Sequence, residues 1–237
     1  MTTSPSSATE RYLSGRRDTT SSFSYGLSRR TSMLLSALAA QQFEPVRDKL
    51  DIIDFGCADG AMLEALAENL GDRFASGLGL DVFRGGVPDD LQANRICFRP
   101  VDLFKTLPAP VEDASFDVAV VSAFLKHHPE PARFLSDVAR ILRPGGCALL
   151  LDPRPFVVRI GQTFGRFNPA YNPSLWDRTT IERLLRVPAN NVGLRISAYS
   201  RYWIAPNYTL YRLGIERLFP HKIKDLIALH QCLVLRK

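Results

Sequence analysis

The stretch Leu50-Asp-Ile-Ile-Asp-Phe-Gly-Cys-Ala-Asp-Gly-Ala61 predicts a buried strand, a glycine-bearing turn and the start of a helix. Asp54 ends the strand, and Gly56 and Gly60 bracket the turn. Glycine permits a positive φ and lets the backbone approach a ligand closely. The first amides of the following helix, expected over residues 61–69, have no partner within that helix. Because open α/β sheets bind ligands beyond the carboxyl ends of their strands, we expect this turn to hold a small molecule.

The spacing of this turn differs from that of a dinucleotide site. The dinucleotide fingerprint is G-x-G-x-x-G, whereas Ala58 stands here in place of the middle glycine. Asp54 adds a carboxylate at the entrance of the turn. A carboxylate repels a pyrophosphate and attracts a cation or an amine. The turn therefore favours a ligand with an ammonium group over one with phosphates, and a tight βα turn in another kind of α/β protein is the alternative.

Strands and helices alternate along the middle of the chain. After the first strand, further strands are predicted at 75–80, 95–101, 116–121 and 147–151, with a helix over 130–142 before the last of them. This alternation, with near-continuous apolar strands, argues for a parallel sheet covered on both faces. Residues 152–176 are rich in Pro, Asn, Gly and aromatic side chains and are predicted to form a long loop. A helix over 177–186 and strands at 194–203 and 227–235 are predicted to follow.

The composition restricts the class of protein. The 237 residues suit one domain with a tail, and no run of 18 apolar residues predicts a membrane-spanning helix. The four cysteines are scattered without a C-x-x-C pair, so neither a zinc site nor a redox pair is indicated. Reduced thiols of a cytoplasmic protein are expected instead. The net charge of +6 favours a negatively charged binding partner, which could be nucleic acid, an anionic membrane or a phosphorylated substrate. The charge alone does not distinguish among these three.

Four segments carry a common resemblance. Asp-x-Gly-Cys-x-x-Gly occupies 54–60, Asp81 follows Gly-Leu-Gly-Leu, Asp102 stands in Pro-Val-Asp-Leu-Phe, and 134–146 ends in Leu-Arg-Pro-Gly-Gly. In this order they resemble the class I S-adenosylmethionine-dependent methyltransferases, over about residues 48–152 and by strand pattern alone beyond them. The resemblance implies a Rossmann-like, seven-stranded and mostly parallel sheet with helices on both faces and an antiparallel last strand.

The resemblance also implies S-adenosyl-L-methionine as the cofactor and assigns its binding residues. Asp81 would hold the ribose hydroxyls, since a carboxylate forms charge-assisted hydrogen bonds with a diol. Asp102 would lie near the adenine amino group. The full set that the resemblance implies is Asp54, Gly56, Cys57, Ala58, Gly60, Asp81, Val82, Asp102, Leu103 and Ser122.

The segment Ser122-Ala-Phe-Leu-Lys-His-His128 follows the fourth strand, and in this family that segment points toward the methyl group. It lacks the Asn/Asp-Pro-Pro-Tyr/Phe motif of amino-group methyltransferases. It also lacks a Pro-Cys pair suited to methylation of cytosine at C5. It is similar to the small-molecule and lipid-directed branch, which methylates hydroxyls or activated carbons. His127 and His128 are the candidate general bases, although either equally suits capping or packing. No pattern of metal ligands is present.

The acceptor is predicted to be small, lipid-like or a lipid-linked glycan. Tyr25, Phe167, Tyr171 and Trp176 are its candidate binding residues. Aromatic residues of the 153–176 insertion either wall an acceptor pocket or pack on the core. The 206–224 insertion, basic on one side and apolar on the other, suits either an anionic membrane surface or its own sheet.

The predicted organisation is a tail over 1–30 and a single domain over 31–237 that carries both insertions. The tail is either disordered or a lid over the cofactor, and a helix over about 28–42 follows it. A cytoplasmic location is expected, with peripheral membrane contact as a second option. The alternatives in function are a non-catalytic binding protein with a relic fold and a basic nucleic-acid or protein methyltransferase using 11–30. Nucleic acid is the less favoured partner, and the oligomeric state is left open.

Overall fold

A computed structural model describes residues 20–40, 48–82, 95–163, 181–182, 193–202 and 230–237. Its helices and strands are, in chain order, α1 (Thr20–Ala40), β1 (Leu50–Phe55), α2 (Ala61–Leu70), β2 (Phe74–Asp81), β3 (Ile96–Pro100), β4 (Phe116–Ser122), α3 (Pro131–Ile141), β5 (Leu142–Pro153), α4 (Pro155–Thr163), β6 (Arg195–Tyr202) and β7 (His230–Arg236). Short 3-10 helices cover Gly71–Arg73 and Leu125–His127. No helix in these ranges is long and apolar enough to cross a membrane.

The seven strands form one sheet in the order β3-β2-β1-β4-β5-β7-β6. The first five strands pair in parallel. Strand β7 runs antiparallel to both of its neighbours, β5 and β6. The predicted Rossmann-like sheet with an antiparallel last strand is therefore confirmed. Because β1 to β5 run in the same direction, their carboxyl ends meet at one edge of the sheet.

Helices cover both faces of the sheet. Successive side chains of a strand point to opposite faces, and the central strand β1 shows the consequence. Ile52 lies in one buried cluster with Leu34 of α1 and Leu63 of α2. Its neighbour Ile53 lies in a second buried cluster with Phe134 of α3. Near-continuous apolar strands are thus needed because neither face of the sheet is open to water.

A charged network joins the amino ends of the central strands. The guanidinium of Arg143 contacts Asp51 Oδ2 at 2.9 Å and Asp117 Oδ2 at 2.7 Å. The amide of Asp51 also donates to Asp117 Oδ2, and Ser76 donates to Asp51 Oδ1 at 2.6 Å. Burial tends to lower the pKa of Arg143, but the hydrogen bonds to both carboxylates outweigh burial and raise it. The network ties β1, β2, β4 and β5 together at the end opposite the predicted site.

Two predicted boundaries after α3 were wrong. Strand β5 begins at Leu142, directly after the helix, and not at Cys147. Leu142 pairs with Phe116 across a register shift, and the ion pairs of Arg143 hold this first part of the strand against β4. The predicted loop over 152–176 contains instead the last two residues of β5 and then α4, because Pro155 suits a first helical turn and no further proline interrupts that helix.

Helix α1 begins at Thr20, earlier than the predicted 28. Its second half packs on the sheet through the buried residues Met33, Leu34 and Leu38, as the sequence pattern predicted. Once such a nucleus is fixed, each added residue gains a backbone hydrogen bond, so the polar first turns extend the helix. Residues 20–30 of the predicted tail over 1–30 are therefore helical. Residues 1–19 of that tail, Phe43 and the 206–224 insertion lie outside the described residues, and the domain boundaries stay a prediction.

Replacing Arg143 should destabilise the fold, because the buried carboxylate of Asp117, 3% exposed, would lose its countercharge. We expect Arg143→Gln to lower the free energy of unfolding by about 2–4 kcal/mol in urea denaturation. Arg133→Gln is the matched control, since Arg133 and its partner Glu130 are each 58% exposed; it should cost less than about 1 kcal/mol. Equal losses in the two variants would contradict a stabilising role for the network.

Candidate functional site

Polar side chains end all five parallel strands at the carboxyl edge of the sheet. From β3 to β5 they are Asp102, just after its strand, then Asp81, Asp54, Ser122 and Asp152. Asp54 and Asp81 are each 2% exposed, and Asp152 is also buried. A row of carboxylates beyond the apolar core costs free energy unless it binds something positive. The edge is therefore the candidate site.

The turn after β1 brings its backbone close to the segment after β4. Gly56 has a φ of +75°, and a Cβ placed on it would lie 2.5 Å from Cδ2 of Phe124. Gly60 adopts the left-handed conformation immediately before α2, with φ +83°. Ala58 also has a positive φ, which a non-glycine residue adopts only at a cost. Gly56 is thus required because a side chain there would clash with Phe124, and Gly60 is favoured because of its left-handed backbone conformation.

Most amides of this turn already have partners within the protein. Those of Gly56 and Cys57 donate to the Leu80 carbonyl, at 2.8 and 3.3 Å, and the amide of Gly60 donates to the Cys57 carbonyl. The amide of Ala58 donates to Asp81 Oδ2 at 2.9 Å. These amides are not offered to an anion. The turn therefore lets a ligand approach the backbone closely but offers few amides to a phosphate. This agrees with the ammonium-bearing ligand predicted from Asp54.

Asp54 has a strongly perturbed acidity. Burial is the largest cause that raises its pKa well above the usual range, and repulsion from Asp81 adds to it. Attraction to Arg30 acts in the opposite direction without cancelling these effects. The ionised form of Asp54 is therefore unfavourable in free energy when no ligand is bound. An ammonium group placed beside Asp54 would remove this cost.

Arg30 of α1 is a site residue that the sequence analysis missed. Its half-buried guanidinium lies in the electrostatic field of Asp54, Asp59 and Asp152. Burial lowers the pKa of Arg30, and the three carboxylates oppose that effect. Arg30 precedes the buried Leu34 by four residues, so helical spacing places both on one face. That spacing was the available signal, but residues 1–30 were assigned to a tail.

The loop after β3 is built on Asp102. Its carboxylate accepts a hydrogen bond from the amide of Phe104 at 3.1 Å and lies 3.9 Å from the ammonium of Lys105. Its carbonyl accepts from the amides of Lys105 and Thr106. Leu103 is buried in the core, and Val82 packs against the same cluster. Asp81 and Asp102 thus lie at the ends of neighbouring strands, and their roles toward the ribose and the adenine stay predictions.

Ser122 provides a test of whether a cofactor fits this edge. Its buried Oγ has no hydrogen-bond partner among the described residues. A buried hydroxyl left unpaired is unfavourable, so a bound ligand is the natural partner. The side chain ends β4, between the strands that carry Asp54 and Asp152. The orphaned hydroxyl, the acidic row and the close-approach turn fit S-adenosylmethionine, whose ammonium and sulfonium groups are positive.

The two histidines have different surroundings. His128 is 2% exposed, its Nδ1 accepts from the amide of Glu130, and its Nε2–H donates to the Leu103 carbonyl at 3.1 Å. Burial is the main cause that lowers the pKa of His128, so the neutral ring is favoured. His127, half-buried, ends the 3-10 helix after β4. His128 thus fastens two site segments together, and a catalytic role for either histidine stays a prediction.

The predicted acceptor side chains lie outside the described part of the structure. Phe167, Tyr171 and Trp176 lie outside the described residues. Tyr25 belongs to α1, but its side chain is not among those described. Their assignment to an acceptor pocket therefore stays a prediction.

Removing the charge of Asp54 should stabilise the ligand-free protein and weaken cofactor binding. The pKa of Asp54 is raised in the folded protein, so its protonated form contributes favourably to the free energy of unfolding at low pH. This contribution is lost as the pH rises through the raised pKa. Asp54→Asn should therefore raise Tm by about 2–4 °C near neutral pH, the shift that about 1 kcal/mol gives at this size. The gain should shrink toward acidic pH, and the exposed Asp72→Asn should show neither effect.

Differential scanning fluorimetry from pH 5 to 8, with and without S-adenosylhomocysteine, measures both effects. An unchanged Tm together with unchanged ligand-induced stabilisation would remove Asp54 from the site.

Comparison with known proteins identifies the family. The family described as "Methyltransferase domain" matches residues 27–190, more than half of the chain. A phthiotriol/phenolphthiotriol dimycocerosates methyltransferase of Mycobacterium ulcerans is 34% identical over 111 residues, 44% of this chain and 38% of the relative. A ubiquinone biosynthesis O-methyltransferase of Xylella fastidiosa is 29% identical over 120 residues, 49% of this chain and 44% of the relative. The chain thus spans less than half the length of these relatives.

Solved structures agree on the fold. An S-adenosylmethionine-dependent methyltransferase from Mesorhizobium loti aligns with a TM-score of 0.56 at 19% identity, covering 85% of this chain and 96% of that one. A SAM-dependent methyltransferase from Aquifex aeolicus aligns with a TM-score of 0.52 at 12% identity, covering 88% and 97%. Identities this low show the fold alone, and the family match carries the assignment. The chain belongs to the methyltransferase domain family.

Proposed function

We propose that this protein transfers a methyl group to a hydroxyl or activated carbon of a small, lipid-like acceptor. The observation that carries the proposal is the end of β4, where Ser122 leads into an aromatic and histidine segment. That segment contains no carboxylate and no Asn/Asp-Pro-Pro-Tyr/Phe motif of the kind that binds amino acceptors. Apolar walls with few polar groups suit a ligand with a long hydrocarbon part.

His127 is the proposed general base. S-adenosylmethionine supplies an activated methyl group on a positive sulfur, so the protein's main task is to align the acceptor. His127 follows β4 and is half-buried, whereas His128 is buried against the rings of Phe124 and Phe134. A histidine near neutrality accepts the proton that a hydroxyl releases as its oxygen bonds the methyl carbon. His128 then acts as a positioning residue, because it fixes the segment that carries His127 to the loop after β3.

The lipid-like class of acceptor has two supports. The names of the relatives specify an O-methyltransferase of ubiquinone biosynthesis and a methyltransferase of phthiotriol dimycocerosates. In this chain, α4 leaves β5 at the site edge and exposes Ile160 by 53%, next to the exposed Arg159. An apolar and a basic side chain side by side suit contact with a lipid or a membrane surface. Peripheral membrane contact is part of the same proposal.

Acceptor preference tests the proposal directly. With S-[methyl-³H]adenosylmethionine, we expect a polyprenyl-substituted catechol to be methylated with kcat/KM at least about 100-fold above plain catechol, since each buried CH₂ contributes about 0.8 kcal/mol. Duplex DNA and a denatured protein mixture are the controls and should remain unlabelled. Label in DNA or protein, or cofactor binding without turnover on any lipid or phenol, would overturn the proposed acceptor class.

Replacing His127 tests its role as a base. We expect His127→Gln to lower kcat by about 100-fold, the usual contribution of a positioned base, with unchanged S-adenosylhomocysteine affinity and unchanged Tm. His128→Ala should instead lower Tm, because it removes a ring packed 5.0 Å from that of Phe134 and the bond to Leu103. Full activity in His127→Gln would show that the reaction needs no base at this position.

A further inference from the structure

Buried polar groups continue the carboxyl edge of the sheet from β5 onto β7 and β6. Every residue that the resemblance assigns to the cofactor lies on β1 to β4 or in the segments after these strands. Asp152, in the last turn of β5, is 6% exposed and follows Leu151, which pairs with Ser122 of β4. The amide of Ala123 donates to the Leu151 carbonyl at 2.8 Å. Asp152 therefore lies beside the segment that, in this family, points toward the methyl group.

A line of hydrogen bonds on β6 and β7 leads toward Asp152. Asp152, Gln231 and Arg201 stand opposite one another in register, so their side chains share one face of the sheet. Arg201 Nε donates to the Tyr199 hydroxyl at 3.2 Å, and this hydroxyl donates to Gln231 Oε1 at 3.3 Å. The guanidinium of Arg201 also lies over the Tyr199 ring, 5.6 Å from its centroid. The exposed arginine thus fixes the outer end of the line.

The chemistry of these groups gives the line one direction. A guanidinium can only donate, a hydroxyl accepts and donates, and a carboxamide accepts at oxygen and donates from nitrogen. Because Tyr199 donates to the oxygen of Gln231, the nitrogen of Gln231 is the donating end of its amide. Opposed residues on neighbouring strands have Cβ atoms about 4.5–5.5 Å apart, which brings this nitrogen within reach of the Asp152 carboxylate. A carboxylate has about four lone-pair sites, so one such donor leaves it able to accept from a ligand.

We propose that Asp152 accepts a hydrogen bond from a second hydroxyl of the acceptor, next to the atom that is methylated. Gln231 and Tyr199 are positioning residues, because they orient the carboxylate and do not themselves reach the acceptor. Gln231 is 2% exposed, so this support is shielded from water. A few polar groups in an apolar pocket fix the orientation of a ligand. The inference rests on the proposed function and narrows its acceptor to molecules with two neighbouring hydroxyls.

Two other roles of Asp152 lead to different results. An aspartate that serves only the fold affects every acceptor alike and lowers Tm when replaced. An aspartate that serves the cofactor weakens S-adenosylhomocysteine when replaced. An acceptor-binding aspartate affects only acceptors that carry the second hydroxyl. The probes are therefore a polyprenyl catechol and the two matching polyprenyl phenols, each of which lacks one of the two hydroxyls.

Initial rates with methyl-labelled S-adenosylmethionine, together with calorimetric titration of S-adenosylhomocysteine, measure the effect. We expect wild type to prefer the catechol over the better phenol about 10–100-fold in kcat/KM, the range for a hydrogen bond to a charged group. Asp152→Asn should bring this preference close to one, with the kcat/KM of the phenols, the S-adenosylhomocysteine affinity and Tm unchanged.

Tyr199→Phe removes the donor to Gln231 and tests the positioning role. It should raise KM for the catechol and leave its kcat unchanged, because ground state and transition state lose the same contact. The constants of the phenols should not move. Ser197→Ala is the matched control, since Ser197 lies on the same strand and donates to the Val234 carbonyl at 3.2 Å. It should change neither acceptor.

A wild-type protein that methylates the phenols as efficiently as the catechol would refute the inference, whether or not any variant folds. An Asp152→Asn variant would also refute it by keeping the wild-type preference, by losing activity equally on all three acceptors, or by binding S-adenosylhomocysteine more weakly. If Asp152→Asn does not fold, an unchanged KM for the catechol in Tyr199→Phe contradicts the inference. Turnover on none of the three acceptors, with S-adenosylhomocysteine still bound, would instead contradict the proposed acceptor class on which the inference rests.

Discussion

The buried carboxylate of Asp54 is the constraint on which the arrangement of the site depends. It lies at the end of the central strand, under the close-approach turn and near a second buried acid, Asp81. Burial and repulsion both disfavour its charge, so the ligand-free protein carries unfavourable free energy at the candidate site. Asp51, three residues earlier on the same strand, is paired with Arg143 instead. One strand thus carries an aspartate that stabilises the fold, Asp51, and a second, Asp54, that we propose binds the cofactor.

The opposite ends of the sheet divide these tasks. At the amino ends, Arg143 joins two carboxylates from β1 and β4 and helps to hold the strands in register. At the carboxyl ends, the strands present carboxylates that Arg30 balances from a separate helix. Strain and unpaired charge are tolerated where function needs them and are offset elsewhere in the fold. The division explains why the acidic edge does not disrupt a parallel sheet whose strands are buried on both faces.

Local patterns predicted most of the fold, and they predicted the turn and the strand ends that form the candidate site. Gly56, Gly60 and Asp81 were found because each role depends on a few neighbouring residues: a positive φ, a strand end, a turn. The start of β5 was missed because ion pairs distant in sequence extend it past a Pro-Gly-Gly segment. Arg30 was missed because residues 1–30 were assigned to a tail, although its position beside the acids also depends on how α1 packs next to the glycine turn. The role of His128 was ambiguous because tertiary packing, which the sequence does not reveal, decides whether a histidine acts as a base or as a structural residue.

The charge of the edge also bears on turnover. The methyl donor has a positive sulfur and carries one more positive charge than its demethylated product, while both keep the same zwitterion. The carboxylates of Asp54, Asp81 and Asp152, taken together with the guanidinium of Arg30, are net negative when the three acids are ionised. Coulomb attraction therefore favours the donor over the product, more strongly in a buried site than in water. Transfer of the methyl group removes the charge that the edge prefers, so the acids that make the free protein less stable also help the product to leave.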